Sequence, residues 1–99
     1  MKQTYLNDSI VVASTNQISS DLGEEVVILN LKDGVYHGLD SVGARIWNLL
    51  QESKSINDIL NILLEEYDVE PERCERDLLA LLEKLEQNGL IEVKNATTA

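Results

Sequence analysis

The apolar residues of this chain change their spacing once, between Gly38 and Ser41, and that change constrains the fold more than any other feature. Ahead of it, the run from Glu25 to Lys32 is dense in β-branched residues and apolar at both parities, the pattern of a central strand. Asp33-Gly34 separates this run from Val35-Tyr36-His37-Gly38-Leu39. Asp-Gly between two such runs favours a two-residue type I′ hairpin, because glycine adopts positive φ freely. In that register Lys32 opposes Val35, Leu31 opposes Tyr36, Asn30 opposes His37 and Leu29 opposes Gly38, so Leu29, Leu31 and Tyr36 share a face. Upstream, Ile10-Val11-Val12-Ala13 reads as a short strand and the polar stretch from Ser14 to Gly23 as a loop.

Beyond Ser41 the spacing is helical. Val42, Ile46, Leu49 and Leu50 repeat on one face with Trp47 beside them, and Asp40 or Ser41 supplies an N-cap oxygen. Ser55 caps a second helix with Ile56, Ile59, Leu60, Leu63, Leu64 and Tyr67 on its apolar face. Pro71 suits the first turn of a third, since its missing N–H has no partner to lose there. Cys74, Leu78, Leu81, Leu82 and Leu85 form that helix's stripe, and Asn88-Gly89 ends it. Leu90 to Val93 has the composition of a short closing strand, and residues 94–99 are expected to fray. Strands and helices in separate blocks indicate an α+β fold: a three-stranded antiparallel sheet followed by three helices in a single domain over residues 1–99.

Composition narrows the function. No apolar run approaches the roughly 18 to 20 residues of a membrane span, and residues 1–15 lack the layout of a secretion signal, so a soluble cytoplasmic protein is expected. With one cysteine, Cys74, and one histidine, His37, no ordinary zinc or iron site can be assembled, and no nucleophile motif is present; neither cofactor, metal nor catalysis is expected. A formal charge of −10 repels phosphate backbones, which argues against nucleic acid as a partner. Between Glu65 and Glu86 stand nine acids and three bases, either solubilising charge or a surface for a basic partner.

Three features invite sharper readings. Asp40-Ser41-Val42 echoes the tripeptide of acyl carrier proteins, whose serine takes a phosphopantetheine arm, yet a hairpin precedes it here where a carrier has a helix. Asp40 as a cap explains it without a cofactor. His37 lies on a strand with no second ligand and no nucleophile to serve, and Trp47, Tyr67 and Cys74 read as core. The strand Val35 to Leu39 has neither proline nor lysine, the residues that usually blunt a sheet edge, so either a loop or the tail covers it or, as an edge, it exposes a row of backbone donors and acceptors beside the helix stripe of Leu78 and Leu81.

The segments YHGLDSVGARIWNLL, SINDILNILLEEYDVEPE and DLLALLEKLEQNGLI, in that order and spacing, resemble the PqqD-like family of recognition elements for ribosomally made, post-translationally modified peptides. The free-standing lasso-peptide members look closest, and the similarity spans about residues 8 to 93. The resemblance implies a winged-helix-like fold that has lost DNA binding. It also implies capture of a precursor's leader as an added strand on the third strand, against the third helix. Presentation to a leader-cleaving cysteine protease and an ATP-dependent macrocyclase follows from it as well. Strand addition leaves selectivity to side-chain pockets. On that basis Val35, Tyr36, His37, Gly38 and Leu39 are expected to form the strand side of a groove. Arg73, Asp77, Leu81 and Lys84, with Leu78 at their base, form its helix side, and Glu75, Leu79, Leu82 and Glu86 are the alternative flank. Gly38 either admits a close backbone approach or bends the chain before the helix. The rival readings are a winged-helix DNA-binding regulator and a carrier protein modified at Ser41.

Overall fold

The computed structural model describes residues 9–94. Their elements run β1 (Ile10–Ala13), β2 (Gln17–Asp21), β3 (Val26–Asn30), β4 (Tyr36–Leu39), α1 (Ser41–Leu49), β5 (Lys54–Ser55), α2 (Ile56–Glu66), α3 (Pro71–Gln87) and β6 (Ile91–Lys94). The class is α+β, as expected, but the strands divide into two antiparallel sheets, ordered β5-β1-β6 and β2-β3-β4, where one sheet of three was expected. The strand expected over residues 35–39 is β4, and it forms an edge of the second sheet.

Three local expectations are corrected. The stretch from Ser14 to Gly23 is not all loop, because Gln17–Asp21 pairs with β3. As a mostly exposed edge strand it needs no apolar alternation, which is why its sequence looks like a loop. The β3–β4 connection is not a two-residue turn: Asn30 N–H donates to Val35 C=O at 2.9 Å and Leu29 opposes Tyr36. Residues 31–34 form the loop, and only Gly34 among them has positive φ, whereas a type I′ turn needs two such residues. The shift is by two residues, so each side chain keeps its expected face and changes its partner. Lys94, expected at the head of a frayed tail, pairs with Ile10 in β6; the rest of that tail lies outside the described residues.

The helices start where their caps dictate. Asp40 Oδ1 accepts from Gly43 N–H at 2.9 Å, so Asp40 caps α1 and Ser41 is its first residue. Ser55 Oγ accepts from Asp58 N–H at 3.0 Å, Pro71 opens α3, and Gly89 with φ of 72° closes it. A core of Val26, Ile28, Ile46, Trp47, Leu50, Ile56, Ile59, Leu78, Leu82 and Leu90 lies between the second sheet and the helices. Each of its fully buried large side chains stabilises the fold by about 1.5 to 3 kcal/mol. α1 packs on β3 and β4, α2 on α3, and α3 on β6. α3 thus rests against the first sheet, and it also faces β4 of the second, because Gly38 and Leu39 share one groove with Leu78 and Leu81 of α3.

Candidate functional site

The edge of β4 follows from its register. Asn30 and Val35 form a hydrogen-bonded pair, and alternation along an antiparallel ladder makes Ile28 with His37 and Val26 with Leu39 the next such pairs. Tyr36 and Gly38 occupy the intervening positions, so the N–H and C=O groups of both point away from β3. Among the described residues no strand pairs with β4 on that side. Four main-chain groups are thus presented along one free edge.

Beside this edge lies a groove of about 880 Å³, bounded by Gly38, Leu39 and the first turns of α1 on one side and by α3 on the other. Gly43 lets α1 sit close on β4 within the first of these walls: a Cβ there would stand 3.2 Å from Leu39 Cβ, so a larger residue would require the two to shift apart. Leu78 and Leu81 contribute the apolar side of α3, and Arg73, Asp77 and Lys84 its charged flank. At the end near the α1 N-terminus, Val42, Ile46, Leu63, Tyr67 and Val69 form an apolar lobe.

Of the residues singled out from sequence, Gly38, Leu39, Arg73, Asp77, Leu78, Leu81 and Lys84 line the groove together. Val35 and Tyr36 do not; both are exposed, Tyr36 at 68%. His37 is also outside the lining, half-buried opposite Ile28, with Nε2 buried and accepting no hydrogen bond among the described residues. None of Glu75, Leu79, Leu82 and Glu86 lines the groove, and Leu82 is fully buried in the core. Gly38 has no positive φ, and a Cβ at that position would meet nothing within 4 Å, so neither backbone strain nor internal packing requires glycine there.

The apolar lobe had escaped sequence reading. Tyr67 and Cys74 face the groove as well as the core they were assigned to, while Trp47 is core alone. An exposed valine in a polar connection, Val69, was the available signal. Asp40, Asp68, Glu70 and Asp77 outnumber Arg73 and Lys84 along the lining, which makes the groove acidic. Burial, and secondarily the Asp77 carboxylate, push the Cys74 thiol up from its ordinary value, so it stays protonated at neutral pH and is a slow nucleophile. Among the described residues, no group of three or more His, Cys, Asp or Glu is placed to hold a metal ion, and no helix is long and apolar enough to cross a membrane.

Residues 25–91 match the family model of coenzyme PQQ synthesis protein D (PqqD), and the chain belongs to that family. This is the family to which its three segments pointed. A solved structure similar to it is TbiB1 in complex with the TbiA(beta) leader peptide: 38% identical, TM-score 0.78, spanning 89% of this chain and 99% of that one. A second is lasso peptide synthetase B1 complexed with the leader peptide, 28% identical with a TM-score of 0.74, spanning 83% and 96% respectively. No curated protein matches the chain.

Proposed function

We propose that this protein binds the leader segment of a ribosomally made precursor peptide as an added strand on β4, within the groove against α3, and that it does so without catalysing any bond change. The observation that carries the reading is the pair Tyr36 and Gly38, whose main-chain groups face outward on a free edge beside a groove large enough for side chains. It is supported by the leader peptides bound to the two similar proteins.

Magnitudes decide what else is needed. Four main-chain hydrogen bonds contribute roughly 0.5 to 1.5 kcal/mol each. Ordering a flexible peptide costs about 1 to 2 kcal/mol per residue, so main-chain pairing alone does not hold it. Apolar leader side chains must make up the difference, at about 1.5 to 3 kcal/mol for each one fully buried. Leu39, Leu78, Leu81 and the lobe around Tyr67 and Val69 offer that burial. Arg73, Asp77 and Lys84 then select among leaders by charge. The bound precursor is presented to a leader-cleaving cysteine protease and an ATP-dependent macrocyclase in lasso-type peptide biosynthesis.

Calorimetric titration with the TbiA(beta) leader and with a scrambled peptide of the same composition tests the reading. Saturable binding of the leader alone is expected. Equal affinity for both peptides would remove the basis for selective capture.

A further inference from the structure

The face of β4 turned away from the groove carries its own apolar feature. Ile18 opposes Leu29, and Leu29 opposes Tyr36, so one cross-strand row runs Ile18-Leu29-Tyr36 over the outer face of the second sheet. The row ends at the free edge with its most exposed member: Ile18 is 58% and Tyr36 68% accessible. Aligned cross-strand neighbours on one face are the unit that stabilises a sheet, and a row that stops at an unpaired edge lacks its next member. Beside Tyr36, the next row is Ser20-Val27-Gly38, where among the described residues nothing but the chain neighbours of Gly38 lies within 4 Å of the place its Cβ would occupy. A large side chain standing opposite Tyr36 therefore has room to lean over Gly38.

Given strand addition at β4, on which this step rests, the hydrogen-bonding phase decides which leader residues face outward. Within β4, among the described residues, Tyr36 and Gly38 are the two whose main-chain groups point away from β3, so the two leader residues paired with them are two apart and lie on the outer face. The residue between them turns toward the groove. We propose that the leader residue paired with Tyr36 carries a bulky apolar or aromatic side chain that packs on Tyr36 as the fourth member of the row, making Tyr36 a specificity-determining residue outside the groove.

The TbiA(beta) leader and its single alanine variants, titrated against the wild-type chain and Tyr36→Ala, test this by coupling. Amide hydrogen exchange at Tyr36 and Gly38 is followed in the same samples. Alanine at one bulky leader position is expected to weaken binding to the wild type by about two- to five-fold and to leave binding to Tyr36→Ala unchanged. Tyr36→Phe should restore the wild-type pattern with an unchanged Tm, and the exposure of Tyr36 limits the Tm loss of Tyr36→Ala to its cross-strand contact with Leu29. Protected Tyr36 and Gly38 amides with additive losses at every leader position would overturn the inference and leave strand addition standing. Absence of protection at these amides would overturn both.

Discussion

The side chain of Asn30, in β3, donates from Nδ2 to the main-chain oxygen of Asn88 at 2.8 Å, joining residues 58 apart in sequence. Asn30 Oδ1 accepts from Lys32 N–H at 2.8 Å, so the same side chain also shapes the loop that leads into β4. A single buried amide thus fastens the strand wall of the groove to the C-terminal end of the helix wall. Asn30→Ala leaves an acceptor and a donor without their partners and is expected to cost about 1 to 3 kcal/mol of stability. Urea unfolding checks this: the midpoint should fall at constant slope. Asn30→Asp keeps the acceptor and loses the donor, and should fall between the two.

Gly38 separates binding from folding. Since no described residue other than its chain neighbours comes within 4 Å of where its Cβ would stand, Gly38→Val is expected to leave Tm nearly unchanged. Its methyls fill the room left for the leader's outward side chains, and leader affinity should drop about tenfold, a loss of about 1.4 kcal/mol. Parallel loss of stability and affinity would assign Gly38 to the bend before α1 instead.

Arg45 and Glu66 join α1 to the end of α2 through two contacts, Nε to Oε1 at 2.9 Å and Nη2 to Oε2. Hydrogen bonding from Arg45 holds the Glu66 carboxyl below its ordinary value. A depressed folded-state value means the pair's contribution is complete above the ordinary carboxylate range and is lost as pH falls through the folded value. The pair is solvent-exposed, so the effect is small and screened by salt. Melting curves of Glu66→Gln should lie slightly below wild type near neutrality, and the gap should close as pH falls below the ordinary carboxylate range.

Cys74 reports on the groove. Its raised thiol value predicts slower alkylation by iodoacetamide than a free cysteine at neutral pH, with the rate climbing above the usual thiol range. Because Cys74 lines the groove, bound leader should slow the reaction further, as peptide-mass analysis of the labelled protein would reveal.

What the sequence disclosed was what local chemistry controls. Asp40 and Ser55 start their helices with side-chain oxygens, Pro71 and Gly89 bound α3 through their backbone geometry, and the β-branched run of β3 needed no tertiary context. The β3–β4 register was not legible from Asp33-Gly34 as a type I′ pair, because other bonds shape the loop: Lys32 N–H donates to Asn30 Oδ1, Val35 N–H to Asp33 Oδ1, and Leu31 N–H to the main-chain oxygen of Asn16. The helix side of the groove followed from the family resemblance with α3 spacing choosing the flank, while the part at Tyr67 and Val69 meets Leu39 and Val42 only in the folded chain, where all four line one groove.

Amide hydrogen exchange measured residue by residue, with and without saturating leader, addresses the main claim most directly. His37 and Leu39 already face β3, so their amides should change little. Tyr36 and Gly38 should pass from rapid exchange to strong protection. Unchanged exchange at Tyr36 and Gly38 with leader bound, or new protection confined to β6, would contradict capture of the peptide on β4.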